Sequence, residues 1–198
     1  MSKTTGFIKD FIVPILIGLL VAFVVKTYLF SFAKVDGASM NPNLHTGEYV
    51  PILKFEKPHH DSVIVFNASG VDPRAVGQKD FYVKRVIGMP GDKINYKSNG
   101  ELFINGKEVS QSFISKDQQQ FGTLAPINMN DGFNLKQLSA QNKWQPSQTT
   151  VPKNSYFVMG DNRQISNDSR YWGFVPASKI SGVVKLPFWD SHKDKINK

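Results

Sequence analysis

The hydrophobic positions of the chain follow two patterns, and the change comes near residue 34. Residues 11–33 read FIVPILIGLLVAFVVKTYLFSFA, and the only charge among them is Lys26. A membrane-spanning helix needs about 20 mostly apolar residues, and a lysine near one end can extend its amine toward the lipid headgroups. The pattern therefore predicts a transmembrane anchor at 11–33, preceded by a short cytoplasmic N-terminus at 1–10.

A cleaved secretory signal is the competing interpretation of this run. Lys3 and Lys9 precede the apolar core, and Ser31–Ala33 ends it with the small residues that signal peptides carry at their cleavage sites. The same two lysines favour a cytoplasmic N-terminus, although Lys26 and Lys34 on the other side weaken that bias. We expect the N-terminus to lie inside and the bulk of the chain to lie outside.

From residue 34 onward, short apolar runs alternate with turn residues. The runs are rich in β-branched and aromatic residues, which is typical of strands; they include EYVPILKF, SVIVFNA, FYVKRVIG, SYFVMGD and ISGVVKL. Asn-Gly in SNGE and INGK is the strongest short hairpin signal. No long segment here shows the 3.6-residue period of a helix. The pattern predicts a mainly β, antiparallel, curled or barrel-like domain over 34–198.

Residues 111–150 have a different composition from the rest of this domain. They are rich in Gln, Asn, Ser and Thr and carry few apolar runs. Together with the two hairpin signals before them, they predict a smaller β-hairpin and insertion subdomain at about 93–150. We expect the 111–150 part to be a polar, loop-rich excursion into solvent, without chemistry of its own.

Composition narrows the range of partners. Lys and Arg exceed Asp and Glu by 24 to 16, a surplus that fits either a solvated surface or contact with anionic lipid headgroups. No basic run or recognition-helix pattern accompanies it, so a nucleic-acid partner is not expected. The chain has no cysteine, which excludes disulfides and thiol nucleophiles. The four histidines form no HExxH-type pattern, so neither a metal nor another cofactor is expected.

Two single residues stand out as candidates for chemistry. Ser39 lies in GASMNP, a turn-rich stretch just beyond the apolar run. Lys84 lies in FYVKRVIGMPGD, where strand alternation places it on one face with Tyr82 and Val86. Burial among apolar side chains lowers the pKa of a lysine, and a neutral lysine amine is a general base. Taken alone, each residue also fits an ordinary turn serine or an edge-strand lysine facing water.

A third stretch, MGDNRQISNDSRYWGFVP at 159–176, concentrates carboxylates, arginines and hydroxyls before an aromatic anchor. The combination and order of the three stretches resemble the type I signal peptidases, a family of membrane-bound Ser/Lys proteases. The resemblance runs from Val35 to about Pro176 in three blocks. It implies that Ser39 is the nucleophile and Lys84 the general base, a role that agrees with the need of a serine hydroxyl for an adjacent base.

The same resemblance assigns supporting and substrate-binding positions. It implies that Ser166 orients the lysine amine and that Asp161, Asp168 and Arg170 support the dyad. It also implies cleavage after small residues at −1 and −3, in pockets lined at positions that share an apolar or aromatic character: Val35, Met40, Leu44, Tyr82 and Val83. The substrate strand would then add to the sheet as an extended segment beside residues 35–38 and 82–84.

The implied partners and location follow from that family. The substrates are signal peptides of exported preproteins, and the other partners are the lipid bilayer and the vicinity of the secretion translocase. The expected location is the bacterial cytoplasmic membrane, with a single pass and the catalytic domain on the outer face. The anchor would raise the effective concentration of the site where cleavage sites emerge.

The sequence departs from the family pattern at three places. Gly37 stands where many Gram-negative members carry a serine whose hydroxyl joins the oxyanion hole, so the Ser39 backbone N–H becomes the main expected donor. Asp36 stands where a proline is common. HHDSVIVF, near residues 59–66, replaces a frequent RGDIVVF. All three departures leave the Ser/Lys pair intact.

Three other functions remain open at this point. The same dyad would serve a LexA-like self-cleaving protease, although that class is cytosolic and the anchor argues against it. It would also serve a specialised processing peptidase of a conjugation or pilus system. A non-catalytic, membrane-tethered β module that binds peptides is the alternative from outside enzymology, and it would tolerate the loss of Ser39 or Lys84.

Overall fold

The computed structural model describes residues 8–77 and 80–198. In chain order, the strands are β1 (Phe30–Lys34), β2 (Tyr49–Leu53), β3 (Val63–Asn67), β4 (Phe81–Gly88), β5 (Ile94–Lys97), β6 (Leu102–Ile104), β7 (Lys107–Val109), β8 (Gly132–Asn134), β9 (Ser155–Met159), β10 (Val175–Pro176) and β11 (Ile180–Val184). The α-helices are α1 (Val13–Val24), α2 (Lys116–Gln119), α3 (Phe121–Leu124), α4 (Leu135–Gln141), α5 (Ser169–Trp172) and α6 (Lys193–Ile196). Two 3₁₀ turns lie at Ala125–Ile127 and Ala177–Lys179.

A single helical rod forms the N-terminal part of the described chain. α1 is flanked by π-helical turns at Ile8–Ile12 and Val25–Leu29, and residues 10–24 are exposed. Its span Asp10–Leu29 is 20 residues long with mean hydropathy 2.3, which is long and apolar enough to cross a membrane. The helical span ends at Leu29, before the predicted limit of the anchor at residue 33, and residues 30–33 belong to β1. Their side chains alternate between exposed and half-buried, and β1 pairs along its whole length with β2.

The strands form two antiparallel sheets, as the sequence pattern predicts. The larger sheet has the order β1-β2-β11-β3-β4-β9-β10, and the smaller has the order β7-β6-β5-β8. Both orders are linear, so each sheet is open within the described part of the chain. β4 is the longest strand and lies inside the larger sheet between β3 and β9. Its position inside the sheet explains why residues 84–87, whose side chains point to both faces, are buried.

The predicted meander is confirmed in the smaller sheet. β5 pairs with β6 across the turn that contains Asn99-Gly100, and β6 pairs with β7 across Asn105-Gly106. Asn105 and Gly106 both have positive φ, at 53° and 81°. This is the backbone that a two-residue type I′ hairpin turn requires, and it is the reason that Asn-Gly occurs there.

The insertion at 111–150 is loop-rich, as predicted, but it is not a solvated excursion. Apolar side chains from it are buried against β5, β6 and β9, and together they form the largest core cluster; those from the insertion are Phe113, Ile114, Leu124, Ile127, Phe133, Leu135 and Leu138. Its helices are no longer than seven residues, which explains why they show no sustained apolar period. The segment therefore forms one wall of the domain that carries the site.

Candidate active site

Lys84 lies in the middle of β4, opposite Ile64 on β3. Its side chain is only 5% exposed, and its Nζ lies 5.5 Å from the centroid of the Tyr82 ring. Burial lowers the pKa of Lys84 from 10.5 to about 8, against the opposing charges of Asp168 and Asp161. About half of this amine is therefore neutral at pH 8, and about a tenth at pH 7, and the neutral form can accept a proton.

Ser39 lies on the loop that follows β1, within hydrogen-bond distance of that amine. Lys84 Nζ donates to Ser39 Oγ at 2.7 Å. Gly37, two residues earlier, has a φ of 86°, a conformation that favours glycine and turns the chain before the serine. The loop is fixed by the polar block at 160–170, because the Asn162 N–H donates to the Ser39 carbonyl at 3.0 Å and Asn162 Nδ2 donates to the Ala38 carbonyl at 3.2 Å.

A buried ion pair ties the neighbour of the lysine to the polar block. Arg85 is fully buried and donates from Nε and NH2 to the two carboxylate oxygens of Asp161, at 2.8 and 2.7 Å. Asn43 Nδ2 donates to the same carboxylate at 2.7 Å. Bidentate arginine–carboxylate pairs fix orientation as well as charge. Since Asn43 follows the Ser39 turn and Arg85 follows Lys84, this cluster holds both halves of the dyad in register.

A second buried ion pair lies inside the polar block itself. Arg170 donates from Nε and NH2 to the carboxylate of Asp168, at 2.9 and 3.0 Å, and the Gly160 N–H donates to it at 3.1 Å. Burial disfavours the charged carboxylate, but the charge of Arg170 and these hydrogen bonds hold the pKa of Asp168 below its ordinary value of 3.8. Asp168 also caps α5, since its side chain accepts from the Arg170 N–H.

Ser166 and Gly160 lie on opposite sides of a tight contact at the dyad. Ser166 is 2% exposed, and its hydroxyl helps to hold the pKa of Asp168 below its ordinary value by hydrogen bonding to that carboxylate. A Cβ placed on Gly160 would approach both the Ser166 hydroxyl and the Ser39 carbonyl oxygen more closely than 3.0 Å. Glycine at 160 is therefore what allows the polar block to reach the loop that carries Ser39.

The insertion supplies hydrogen-bond partners for the arginines of the polar block. Arg163 NH1 contacts Gln111 and Thr123 at 3.1 Å each, and Arg170 NH1 donates to the carbonyl of Gly122 at 3.1 Å. Buried guanidinium groups need such partners to offset their loss of water. The segment that sequence analysis left without a role thus helps to hold the block that faces Ser39.

A cleft of about 280 Å³ opens beside the dyad. Four of the five predicted substrate-binding residues line it, namely Val35, Met40, Tyr82 and Val83. Leu44, the fifth, is fully buried behind that wall, where it packs in the same cluster as Val35 and Met40. Val83 and Tyr82 point to opposite faces of β4 and contact different clusters. The cleft thus has one apolar wall and one wall that carries the lysine.

Sequence reasoning missed several residues that hold the site together. Asn43, Arg85 and Gly160 make the contacts described above and were not predicted as site residues. Asn162 was recognised as part of the polar block but was given no role of its own. Arg85 follows Lys84 and Gly160 precedes Asp161, both of which were predicted site residues. An arginine beside a lysine in a strand that the sequence predicts to be buried is the signal that could have identified Arg85. Among residues 8–77 and 80–198, no group of three His, Asp or Glu side chains is placed to hold a metal ion.

Taken together, the geometry suits acyl transfer by a serine. An activated hydroxyl needs a base within hydrogen-bond reach, and a base needs groups that orient it. Ser39 and Lys84 meet the first requirement at 2.7 Å. The ion pairs Arg85–Asp161 and Asp168–Arg170 fix the surrounding backbone. Apolar residues on the other wall provide a place for small side chains next to the hydroxyl.

Comparison with known proteins points in the same direction. The family model described as "Signal peptidase, peptidase S26" matches residues 8–189. The chain is 32% identical to signal peptidase IB of Staphylococcus aureus (strain COL), over 96% of this chain and 94% of that one. It is 33% identical to signal peptidase I of Bacillus caldolyticus, over 89% of this chain and 88% of that one.

A solved structure is also similar to the chain. A crystal structure of a signal peptidase I from Enterococcus faecalis V583 matches with a TM-score of 0.50 and 31% sequence identity. The match covers 65% of this chain and 97% of that one.

Proposed function

The chain belongs to the signal peptidase family, peptidase S26, and from that premise we propose that it is a membrane-bound serine endopeptidase that removes signal peptides from exported preproteins, with Ser39 as nucleophile and Lys84 as general base. The resemblance seen in the sequence is confirmed by the similarities above. The observation that carries the assignment of roles is the 2.7 Å hydrogen bond between a buried lysine and Ser39.

In the proposed reaction, neutral Lys84 removes the proton from the Ser39 hydroxyl as Oγ attacks the scissile carbonyl carbon. The tetrahedral intermediate collapses by breaking the C–N bond, and the lysine returns its proton to the leaving amine. Water, deprotonated by the same amine, then attacks the ester, releases the signal peptide as a carboxylate and regenerates the serine. General-base help of this kind contributes about 10²–10⁴-fold.

The oxyanion needs donors aimed at it, and Gly37 offers no hydroxyl. The backbone N–H of Ser39 is a suitable donor for the oxyanion, because within the described chain it makes no backbone hydrogen bond. One well-placed donor of this kind contributes roughly 3–4 kcal/mol to the stabilisation of the transition state. We propose that this N–H is the main oxyanion donor.

The cleft supports the proposed preference for small residues at −1 and −3. Val35 and Met40 are almost fully buried, and with Val83 they form a closely packed apolar wall beside Ser39. The small cleft, about 280 Å³, limits the size of the side chains that face this wall. An extended substrate between residues 35–38 and 82–84 would place alternate side chains against it.

The membrane attachment proposed here rests on the exposed apolar rod. Proteins of this family are membrane-anchored, and the span Asp10–Leu29 has the length and hydropathy for a single crossing. We propose that the N-terminus faces the cytoplasm and that the two sheets lie on the outer face of the cytoplasmic membrane, close to the secretion translocase. The Lys and Arg surplus fits a domain that rests on anionic headgroups.

The test is cleavage of a preprotein with Ala at −1 and −3 by the full chain in detergent or lipid vesicles. Ser39→Ala and Lys84→Ala are each expected to lose at least about 10³-fold in kcat/KM, since a dyad acts as a unit. Ser178→Ala, which changes an exposed serine, is the matched control and should cleave normally. Normal cleavage by either dyad variant contradicts the roles assigned to Ser39 and Lys84. Peptide binding without cleavage by the wild type would favour a non-catalytic peptide-binding module.

A further inference from the structure

A second pocket lies beside the catalytic cleft. It measures about 470 Å³ and shares Ile165 and Asn167 with the cleft. We call it the Asp72 pocket, and its walls include Asp72, Arg74, Ser166, Asn167, Tyr171 and Trp172. Ile165 and Asn167 therefore form the wall between the two cavities. A substrate chain that extends from the dyad across this wall enters the second pocket.

Hydrogen bonds hold the Asp72 carboxylate in one orientation. Asp72 is 2% exposed, and its Oδ2 accepts from Tyr82 Oη at 3.0 Å and from Asn167 Nδ2. The Arg74 N–H donates to Oδ1 at 3.0 Å. Tyr82 lies on the same face of β4 as Lys84, so the acid connects the pocket wall to the strand that carries the base.

Backbone hydrogen bonds order the loop that carries Asp72 and Arg74. The N–H groups of Val71 and Asp72 donate to the Ala68 carbonyl at 2.9 and 3.0 Å, and the Ala75 N–H donates to the Asp72 carbonyl at 2.9 Å. These turns fix the backbone on either side of the pocket. The cavity is therefore formed before any substrate arrives, which reduces the entropy cost of binding.

The polar atoms just beneath the pocket surface suggest the chemistry of its occupant. Within the described residues, two buried side-chain polar atoms of pocket residues lack a hydrogen-bond partner: Asn167 Oδ1 and Trp172 Nε1. Buried polar groups are normally paired, so a concentration of unpaired ones calls for an explanation. A peptide backbone brings both a donor and an acceptor to such a place.

The position of Lys84 indicates which side of the substrate would reach this pocket. The base that deprotonates Ser39 must also protonate the leaving amine, so the leaving chain passes the lysine. Lys84 shares its face of β4 with Tyr82, and Ser166 borders the pocket on that side. The apolar wall of the cleft, with Val83, lies on the other face. The chain that follows the scissile bond thus leads toward the Asp72 pocket.

The geometry points to the Asp72 pocket as a subsite for the first residues of the mature protein, at +1 or +2, and to Arg74 as the residue that makes an acidic side chain favourable there. This inference rests on the proposed function. Arg74 Nε forms a loose ion pair with the Asp72 carboxylate at 3.7 Å, but the Arg74 side chain is 68% exposed and that of Asp72 only 2%, so the guanidinium is the charge that a substrate side chain meets at the rim. An exposed charge contributes little, and we expect a preference of about two- to fivefold.

The experiment compares preproteins that differ only in having Glu or Lys at +1, at +2 or at −2, with Ala kept at −1 and −3. The enzymes are the wild type, Arg74→Glu and Lys93→Glu, each as the full chain. Lys93 is exposed at the smaller sheet, so its reversal makes the same change in net charge away from the cleft. The wild type and Lys93→Glu should favour Glu at +1 or +2, and Arg74→Glu should favour Lys. Arg74→Gln, with unchanged far-UV circular dichroism, should abolish the preference.

Each other result overturns the inference. Equal rates for Glu and Lys substrates at +1 and +2 in all enzymes would remove the subsite while leaving the proposed function intact. A charge preference that responds to Arg74 only at −2 would place the opposite side of the substrate in the pocket. No cleavage of any substrate by the wild type would remove the proposed function, and the subsite with it.

Discussion

The carbonyl oxygen of Ser39 faces Gly160 across a gap that has no room for a side chain. A Cβ on Gly160 would come within 3.0 Å of that oxygen and of the Ser166 hydroxyl. The Gly160 N–H also donates to Asp168, and its carbonyl accepts from Arg163 at 3.0 Å. Gly160 is therefore the point at which the polar block meets the loop that carries Ser39, and its lack of a side chain sets their separation.

Gly160→Ala is expected to lower kcat/KM by about 100-fold or more while the protein stays folded. The methyl group must push the Ser39 carbonyl or Ser166 away, and a displacement of about 1 Å at a reacting group can cost about 10²-fold. The measurement is preprotein cleavage beside far-UV circular dichroism. Gly18→Ala, where a Cβ meets nothing within 4 Å, is the control. Activity close to wild type in Gly160→Ala would mean that the contact does not position the nucleophile.

The pH dependence of cleavage should report the buried base. Because the pKa of Lys84 is lowered to about 8, the active neutral form is lost as pH falls below that value. We expect kcat/KM to drop about tenfold for each pH unit below the apparent pKa and to level off above it. Two preproteins with different KM values should give the same midpoint, since kcat/KM reports the free enzyme. A flat profile between pH 6 and 9 would exclude Lys84 as the base.

The free energy of unfolding should also depend on the protonation of the Lys84 amine. The folded pKa of about 8 lies below the unfolded value of 10.5, so the unfolded chain binds more protons between these pH values. The burial of Lys84 therefore costs stability below pH 8, and this cost disappears as pH rises toward 10.5. Lys84→Met should accordingly unfold at a higher temperature than the wild type at pH 7 and lose that advantage near pH 10.5. Lys93→Met, at an exposed position, should show no such shift.

Much of the fold is visible in the sequence because local signals and tertiary packing agree there. The Asn-Gly turns at 99–100 and 105–106 fix two hairpins, and alternation along 81–88 places Lys84 in a buried strand. The C-terminal limit of the helical rod was missed, because residues 30–33 are as apolar as the helix before them. Only pairing with β2, a contact between distant parts of the chain, makes them a strand.

The long-range contacts that hold the candidate site together could not be predicted from the sequence. Asn43 and Asp161 are 118 positions apart, and the contact between Arg163 and Thr123 spans 40. Such pairs follow from the path of the chain, and no local pattern marks them. The insertion at 111–150 was wrongly predicted to be solvated for a related reason. Its composition is mostly polar, and the few apolar residues that it buries form no recognisable pattern. Some of its polar side chains accept hydrogen bonds from buried arginines and do not face water.

Phe113 gives a direct test of whether the insertion supports the site. The ring is 1% exposed, and the Arg85 Cζ lies 4.1 Å from its centroid. The Phe113 carbonyl accepts from Asn43 Nδ2 at 2.7 Å. Replacement by leucine removes the aromatic face that Arg85 contacts and leaves a gap beside the Arg85–Asp161 pair, which should lower the free energy of unfolding by about 1–3 kcal/mol.

Activity should fall with stability in this variant, because Arg85 follows Lys84 on β4 and a displaced guanidinium shifts the strand that carries the base. We expect Phe113→Leu to lose about three- to tenfold in kcat, which is on the order of 1 kcal/mol of transition-state stabilisation, at temperatures where it remains folded. Phe121→Leu, on the same insertion but 63% exposed, should match the wild type in both urea denaturation and cleavage. If Phe113→Leu loses stability without any loss of kcat, the insertion supports only the fold, and the link from its core to the dyad through Arg85 is wrong.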